Sequence, residues 1–154
     1  MNIPRLCGFV FWYLFILCNA LESSEEKPVN LVQEISAGKY LFQSAGGCNC
    51  HTDIKNNGAF LAGGRPIETP FGTFYGTNIT PDPETGIGNW SDEDFIRAMT
   101  RGLSPEGKHY FPVFPYTSFQ RIRREDLLDL KTYIFSVPPV YQKNQPHDLI
   151  LPIG

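Results

Sequence analysis

The sequence predicts an all-α domain in which three helices are separated by two long loops. Apolar residues recur at helical spacing in residues 31–45, 91–101 and 123–137, and this spacing indicates helices with one buried face. The intervening stretches are rich in Pro, Gly and aromatic residues, which favour loops. Loops of this length are uncommon in a compact domain, so they are expected to pack on something apolar.

The first helix is predicted over residues 31–45 and contains an unexpected glycine. Gly38 lowers helical stability by about 1 kcal/mol relative to Ala, so it is most useful where another helix crosses closely. The predicted apolar stripe of this helix comprises Leu31, Ile35, Leu41 and Phe42, with Tyr40 beside it.

The middle of the chain is poor in helix-forming residues. Residues 66–75 predict extended chain that can fold as a short hairpin, and residues 78–89, dense in Pro, Asp and Gly, predict a loop. The tail after Pro138-Pro139 is expected to be irregular and to wrap the surface.

The other two helices have clear boundary residues. Ser91 is a predicted N-cap because three acidic residues follow it, and Gly102 is the predicted stop of the same helix. The last helix is predicted to begin near Arg123 and to end before Pro138-Pro139.

The N-terminal segment predicts export. Arg5 precedes an uninterrupted apolar run at residues 6–18, and small residues near Ala20 suit a signal peptidase. Residues 1–20 are therefore predicted to be a signal peptide, the polar residues 21–30 a flexible leader, and residues 31–154 one domain; a retained membrane anchor is the alternative. The formal net charge of −3 argues against nucleic-acid binding, which requires a clustered basic surface.

Cys48-Asn49-Cys50-His51 is the segment most informative about chemistry. In a Cys-x-x-Cys-His motif two thiols form thioethers with haem and the His binds the iron. In this chain one residue, Asn49, separates the cysteines instead of two. We therefore expect one covalently attached haem c, with Cys48 and Cys50 as attachment sites, His51 as the proximal iron ligand and the long loops wrapped around the macrocycle. A structural zinc site is the alternative, and it would need a fourth ligand such as His109.

Trp90 and Tyr110 are candidate haem contacts. An indole N–H or a phenol O–H can donate to a haem propionate while the ring packs on the macrocycle. Ordinary core packing is the alternative role for both. Arg65 is either a propionate partner or a solvated side chain.

Seven further motifs identify a family resemblance. They are Gly38-Lys39-Tyr40-Leu41, Thr69-Pro70-Phe71-Gly72, Thr77-Asn78-Ile79-Thr80-Pro81-Asp82-Pro83-Glu84-Thr85-Gly86-Ile87-Gly88-Asn89-Trp90, Asp94-Phe95, Tyr110-Phe111-Pro112, Phe114-Pro115-Tyr116 and Val137-Pro138-Pro139-Val140. With these motifs the chain resembles the cytochrome c subunits of bacterial membrane-bound dehydrogenases for alcohols, gluconate and similar substrates.

The resemblance implies a cytochrome c-like fold around haem c and electron transfer in the periplasm. The chain would act as a carrier or a small subunit with no catalysis of its own, and its partner would be a dehydrogenase, a quinol-linked complex or a terminal oxidase. No nucleic acid and, after signal cleavage, no membrane span is expected.

The sixth iron ligand stays open at this stage. Many members of the family have Met where this chain has Phe114. The candidates are His109, Met99 or no protein ligand. An iron without a sixth ligand would favour the alternative function, a binder or sensor of O2, NO or CO.

Overall fold

The computed structural model describes residues 30–47 and 49–150. The predicted signal peptide, all but the last residue of the predicted leader, and Cys48 lie outside these residues. Within them the chain forms three helices, which are α1 (Leu31–Ser44), α2 (Asp92–Arg101) and α3 (Arg124–Phe135). It also forms three strands, which are β1 (Pro66–Thr69), β2 (Gly72–Tyr75) and β3 (Asp148–Leu149).

Helices α1 and α3 cross with their backbones in contact at Gly38. A Cβ atom built on Gly38 would lie 1.9 Å from the carbonyl oxygen of Asp129 and 2.8 Å from Cβ of Tyr133. Only a residue without a side chain allows this approach. The predicted close crossing is therefore confirmed, and it explains why a poor helix former stands in the middle of α1.

Helix α2 begins and ends where its capping residues predict. The Ser91 hydroxyl accepts a hydrogen bond from the backbone N–H of Asp94, and the Asp94 carboxylate accepts one from the Ser91 N–H, which completes a capping box. Gly102 ends the helix in the left-handed region at φ 65°. Lys131 joins α3 to the start of α2, because its Nζ donates to the Trp90 carbonyl at 2.9 Å and to the Asp92 carboxylate at 2.7 Å.

The apolar core lies between the three helices and the loops that join them. Its buried members are Phe42, Leu61, Ile87, Phe95, Leu127, Leu130 and Ile134. The predicted stripe of α1 is only partly buried: Leu31 is 58% exposed and Tyr40 is 70% exposed. Leu31 instead lines a shallow open groove beside Phe135, at the end of α3.

A three-stranded antiparallel sheet in the order β1-β2-β3 makes the all-α prediction incomplete. The hairpin expected within residues 66–75 is present, with Thr69 paired to Gly72. Strand β3 comes from the tail, and Gly72 admits it, since a Cβ there would lie 2.3 Å from the carbonyl oxygen of Asp148. No helix in the described part of the chain combines the length and apolarity needed to cross a bilayer.

A buried polar network fastens the tail to the loop at residues 77–85. The Asn78 amide is 2% exposed, donates to the Val140 carbonyl at 2.8 Å and accepts from the Thr80 hydroxyl at 2.8 Å. Asp82 accepts from the backbone N–H and the hydroxyl of Thr85 at 2.6 and 2.7 Å. These hydrogen bonds, first the one from the Thr85 hydroxyl, lower the pKa of Asp82.

Candidate functional site

The His51 ring is oriented by one backbone carbonyl. Its Nδ1–H donates to the carbonyl oxygen of Thr77 at 2.7 Å, which leaves the lone pair of Nε2 available for a metal. Burial lowers the pKa of His51, and the hydrogen bond to Thr77 opposes this only in part. The ring is therefore neutral near pH 7, as a ligating imidazole must be.

The backbone around Cys50 and His51 is braced from two sides. The Arg65 guanidinium donates to the Asn49 carbonyl at 2.8 Å, and the His51 carbonyl accepts from the Gly63 N–H at 2.8 Å. Gly76 packs against Cys50 so closely that a Cβ there would lie 1.8 Å from the Cys50 carbonyl oxygen. The peptide that carries the predicted attachment thiol is thus held against the glycine that follows β2.

The next residue anchors this peptide to the core. The side chain of Thr52 is buried, and its hydroxyl accepts from the backbone N–H of Leu61 at 3.0 Å. Leu61 is fully buried and adopts a left-handed conformation with φ 60°. Because a non-glycine residue rarely takes this conformation, the surrounding packing must impose it.

The donor set fits a covalently attached haem. Cys50 is exposed with a free thiol, and it directly precedes an imidazole whose Nε2 is free to bind iron. A thiol that must form a thioether has to be reachable, and a ligating His has to be held in one tautomer. Cys48, the other predicted attachment site, lies outside the described residues.

Trp90 is half-buried and packs against the core cluster. Its backbone N–H donates to the Ile87 carbonyl at 3.0 Å, and its carbonyl accepts from Lys131. These contacts fix the backbone of Trp90 directly before α2. They are compatible with both roles that the sequence suggested, a haem contact and a core aromatic.

Tyr110 lies where the backbone leaves the loop after α2. Its N–H donates to the Gly102 carbonyl at 2.8 Å, and its ring meets the Phe114 ring edge-on at 5.8 Å between centroids. Burial, with a contribution from Glu106, raises the pKa of Tyr110 to about 12. The phenol therefore stays protonated at neutral pH and can donate to an anionic group.

His109 and Met99 occupy contrasting environments. His109 is exposed and forms an isolated antiparallel bridge with Leu103 through its backbone. Met99 is partly buried and packs against the core cluster, as its place on the apolar face of α2 predicts. Phe114 has ring contacts with Tyr110 and Phe119.

Two features of this site were not predicted from the sequence. The Thr77 carbonyl that orients His51 is a backbone atom 26 residues away, and its position in the long Thr77–Trp90 motif was the one available signal. Arg65 bonds the Asn49 carbonyl, a partner that neither sequence interpretation of Arg65 named. In residues 30–47 and 49–150, no group of three or more His, Cys, Asp or Glu side chains could hold a metal ion.

Comparisons with known proteins find relatives among bacterial cytochromes. A diheme cytochrome c-type of Cereibacter sphaeroides is 39% identical over 141 residues, which cover 90% of this chain and 48% of that protein. One subunit of the nicotinate dehydrogenase of Pseudomonas putida is 49% identical over 112 residues, 72% of this chain and 9% of that subunit. The gluconate 2-dehydrogenase cytochrome c subunit of Pantoea cypripedii is 39% identical over 121 residues, 78% of this chain and 27% of that subunit.

The chain thus spans about half the length of the first of these relatives, and about a quarter or less of the other two. No family model matches the chain. The matches to cytochrome c subunits of alcohol, gluconate and fructose dehydrogenases confirm the resemblance predicted from the motifs: the chain is related to the cytochrome c subunits of bacterial dehydrogenases.

Proposed function

We propose that this chain is a monohaem c-type cytochrome that transfers electrons in the periplasm. The observation that carries the proposal is the hydrogen bond from His51 Nδ1–H to the Thr77 carbonyl at 2.7 Å, with the exposed thiol of Cys50 next to it. When bound, haem c supplies a one-electron couple between ferrous and ferric iron. The relatives that are named as cytochrome c subunits support this chemistry.

Each predicted site residue has a specific task in this proposal. Cys48 and Cys50 form the thioethers, and Nε2 of His51 binds the iron on the proximal side. Tyr110, whose phenol keeps its proton at neutral pH, and the Trp90 indole are proposed donors to the propionates. His109, an exposed imidazole in the segment after α2, is the proposed sixth ligand, because Met99 is engaged in core packing.

One haem is proposed because the sequence contains one Cys-x-Cys-His run. The chain also spans 48% of a relative that is named a diheme cytochrome, which is consistent with half of its haem content. The proposed role is that of an electron-transfer subunit that accepts electrons from a dehydrogenase and performs no substrate chemistry itself. Passage of electrons to a quinol-linked complex or a terminal oxidase is part of the same proposal.

The test is covalent haem retention in protein expressed with a cytochrome c maturation system. After denaturation and washing in acid acetone, the protein should keep one haem per chain by intact mass and pyridine haemochrome absorbance. His51→Ala should abolish stable holoprotein, whereas Met99→Leu, which changes a core residue of similar size, should keep it. Porphyrin-free protein, or normal holoprotein from His51→Ala, would contradict the proposal.

Cys48 and the sixth ligand each have a separate test. Cys48→Ala should leave one thioether at Cys50, seen as a shifted haemochrome band with haem still bound to the chain. His109→Ala should convert low-spin to high-spin iron, whereas an unchanged spectrum would remove His109 from the ligand set.

A second candidate function is favoured by the aromatic surroundings of Phe114. Its ring contacts are with Tyr110 and Phe119. The two phenylalanines have no ligating atom, and the Tyr110 phenol keeps its proton at neutral pH. An open iron site would bind small gases, so the alternative is an O2, NO or CO binder. Rapid and complete binding of CO to the reduced protein would favour this alternative, and indifference to CO would favour the electron carrier.

A further inference from the structure

The side chain of His147, in the C-terminal tail, joins three separate parts of the chain. Its Nδ1 accepts a hydrogen bond from the backbone N–H of Tyr75 at 3.2 Å. Its ring lies 5.1 Å from the Phe74 ring and 5.3 Å from the Phe111 ring, between centroids. The Phe74 and Phe111 rings are themselves 5.3 Å apart. Phe74, Phe111 and His147 therefore form a closed aromatic triad.

The triad connects the end of β2 to the loop at residues 111–123, which precedes α3 and is called the Phe111 loop below. The Phe74 side chain is only 4% exposed, so the β2 side of the contact is part of the interior. The aromatic contacts of the Phe111 ring within the described residues are those with Phe74 and His147. The loop thus meets β2 through these two rings, and a histidine supplied by the tail contacts both of them.

The hydrogen bond from Tyr75 requires one particular form of His147. An imidazole nitrogen can accept a hydrogen bond only when it carries no proton, so His147 must be neutral with its proton on Nε2. This tautomer also leaves no free lone pair for iron, which separates His147 from the proposed ligands. Protonation would turn Nδ1 into a second donor facing the Tyr75 N–H, and the contact would become repulsive.

We propose that His147 is a positioning residue that fixes the Phe111 loop against β2 in its neutral form, and that acidification releases the loop and the tail together. This inference goes beyond electron transfer, and the contact is expected with or without haem. Burial lowers the pKa of His147 below its usual range, so the neutral form predominates at pH 7. Because the folded pKa is depressed, the stabilisation is complete above about pH 6.5 and is lost as the pH falls below that value.

Burial is the cause of the lowered pKa of His147, and no ionised neighbour among the described residues contributes to it. The titratable side chains on the elements around it are Tyr75 on β2, Glu68 on β1, His109 and Tyr110 before the loop, Tyr116, Arg121 and Arg123 within the loop, and Tyr141, Lys143 and Asp148 in the tail. Asp148 is exposed on β3, and among the described residues no ion pair joins it to the half-buried His147. Acidification should therefore act through the imidazole itself.

The test is hydrogen exchange measured by mass spectrometry at pH 7.5 and pH 5.0, corrected for intrinsic exchange. The peptide with the Tyr75 amide should lose about tenfold in protection at the lower pH, as the loss of one hydrogen bond predicts. Protection of the Phe111 loop and of the tail should fall with it. Equal protection of these segments at the two pH values would overturn the proposal.

Two variants separate the hydrogen bond from the ring packing. His147→Asn keeps an acceptor near the position of Nδ1, so Tyr75 should stay protected at both pH values while the Phe111 loop loosens. His147→Phe keeps the ring, so the loop should stay protected while Tyr75 is unprotected at both pH values. Wild-type protection of Tyr75 in His147→Phe would overturn the proposal, as would a wild-type response to pH in His147→Asn.

A third measurement does not depend on the folding of any variant. The 15N chemical shifts of the wild-type imidazole show which nitrogen carries the proton, and a proton on Nδ1 at pH 7.5 would contradict the geometry. Haem content is determined on the same samples by pyridine haemochrome. Loss of haem with an intact pH response would count against the proposed function alone.

Discussion

Gly38→Ala tests whether the contact between α1 and α3 is as close as the structure has it. The new Cβ would lie 1.9 Å from the Asp129 carbonyl oxygen, 2.6 Å from the carbonyl carbon and 2.8 Å from Cβ of Tyr133. None of these atoms can rotate away, because all belong to the α3 backbone or are fixed directly to it. Ordinary contact begins at 3.4 Å, so α1 would have to move by about 1.5 Å.

Two opposing free energies decide the outcome. Alanine is a better helix former than glycine by about 1 kcal/mol, and this alone would stabilise the protein. Overpacking of a tight contact typically costs about 1–3 kcal/mol and sometimes more, and here the displacement affects the main helix pair of the fold. Because the clash is deep, we take the upper end of that range, about 3 kcal/mol, and expect a net loss of about 2 kcal/mol in the free energy of unfolding.

The assay is guanidinium denaturation followed by far-UV circular dichroism. Ser36→Ala is the matched control, because Ser36 is exposed on the same helix and should change stability by no more than about 0.5 kcal/mol. The sign of the Gly38→Ala effect is decisive. An increase in stability would show that propensity alone acts at Gly38 and would refute the close crossing.

Three more predictions concern a cap, the buried network and an acid. Ser91→Ala should cost about 1 kcal/mol of stability by removing the capping box, and an unchanged denaturation midpoint would contradict this. Asn78→Ala should cost about 3 kcal/mol, because it leaves several buried groups without partners. Asn89→Ala is the matched control, because Asn89 is exposed and its amide donates to the Pro83 carbonyl at 2.8 Å. Equal losses of stability in the two variants would count against the network. Since the pKa of Asp82 is lowered in the folded state, its stabilisation is present above about pH 4 and is lost as the pH falls further. Asp82→Asn should therefore flatten the acid limb of stability against pH, and parallel profiles for the two proteins would contradict the assignment.

The parts of the fold that could be predicted are those specified by local signals. Helix α2 is bounded by Ser91 and Gly102, because a serine hydroxyl satisfies the first free N–H groups and glycine accepts a positive φ. The close crossing at Gly38 could also be predicted, because a glycine inside a helix lowers helical stability and is explained when another backbone packs against it.

The parts that could not be predicted depend on distant partners. Strand β3 is two residues long and pairs with β2, which lies far earlier in the chain, so no periodicity marks it. Leu31 is exposed because it lies beside Phe135 at the end of α3. The spacing of apolar residues in α1 does not show where α3 ends. At the site, the Cys-x-Cys-His run indicated the chemistry of His51, but its orientation comes from a Thr77 carbonyl that any residue type would supply.

The hydrogen bonds of Asn78 also bear on the order in which the molecule assembles. Asn78 donates to the carbonyls of Val140 and Gln142, which lie 62 and 64 positions later in the chain. Bringing such distant segments together costs chain entropy, and this cost is offset only once the hydrogen bonds have formed. We expect this region to form late in folding, after α1 and α3 have met. Thr77 immediately precedes Asn78, so the imidazole of His51 would acquire its final orientation only when residues 140–142 have docked.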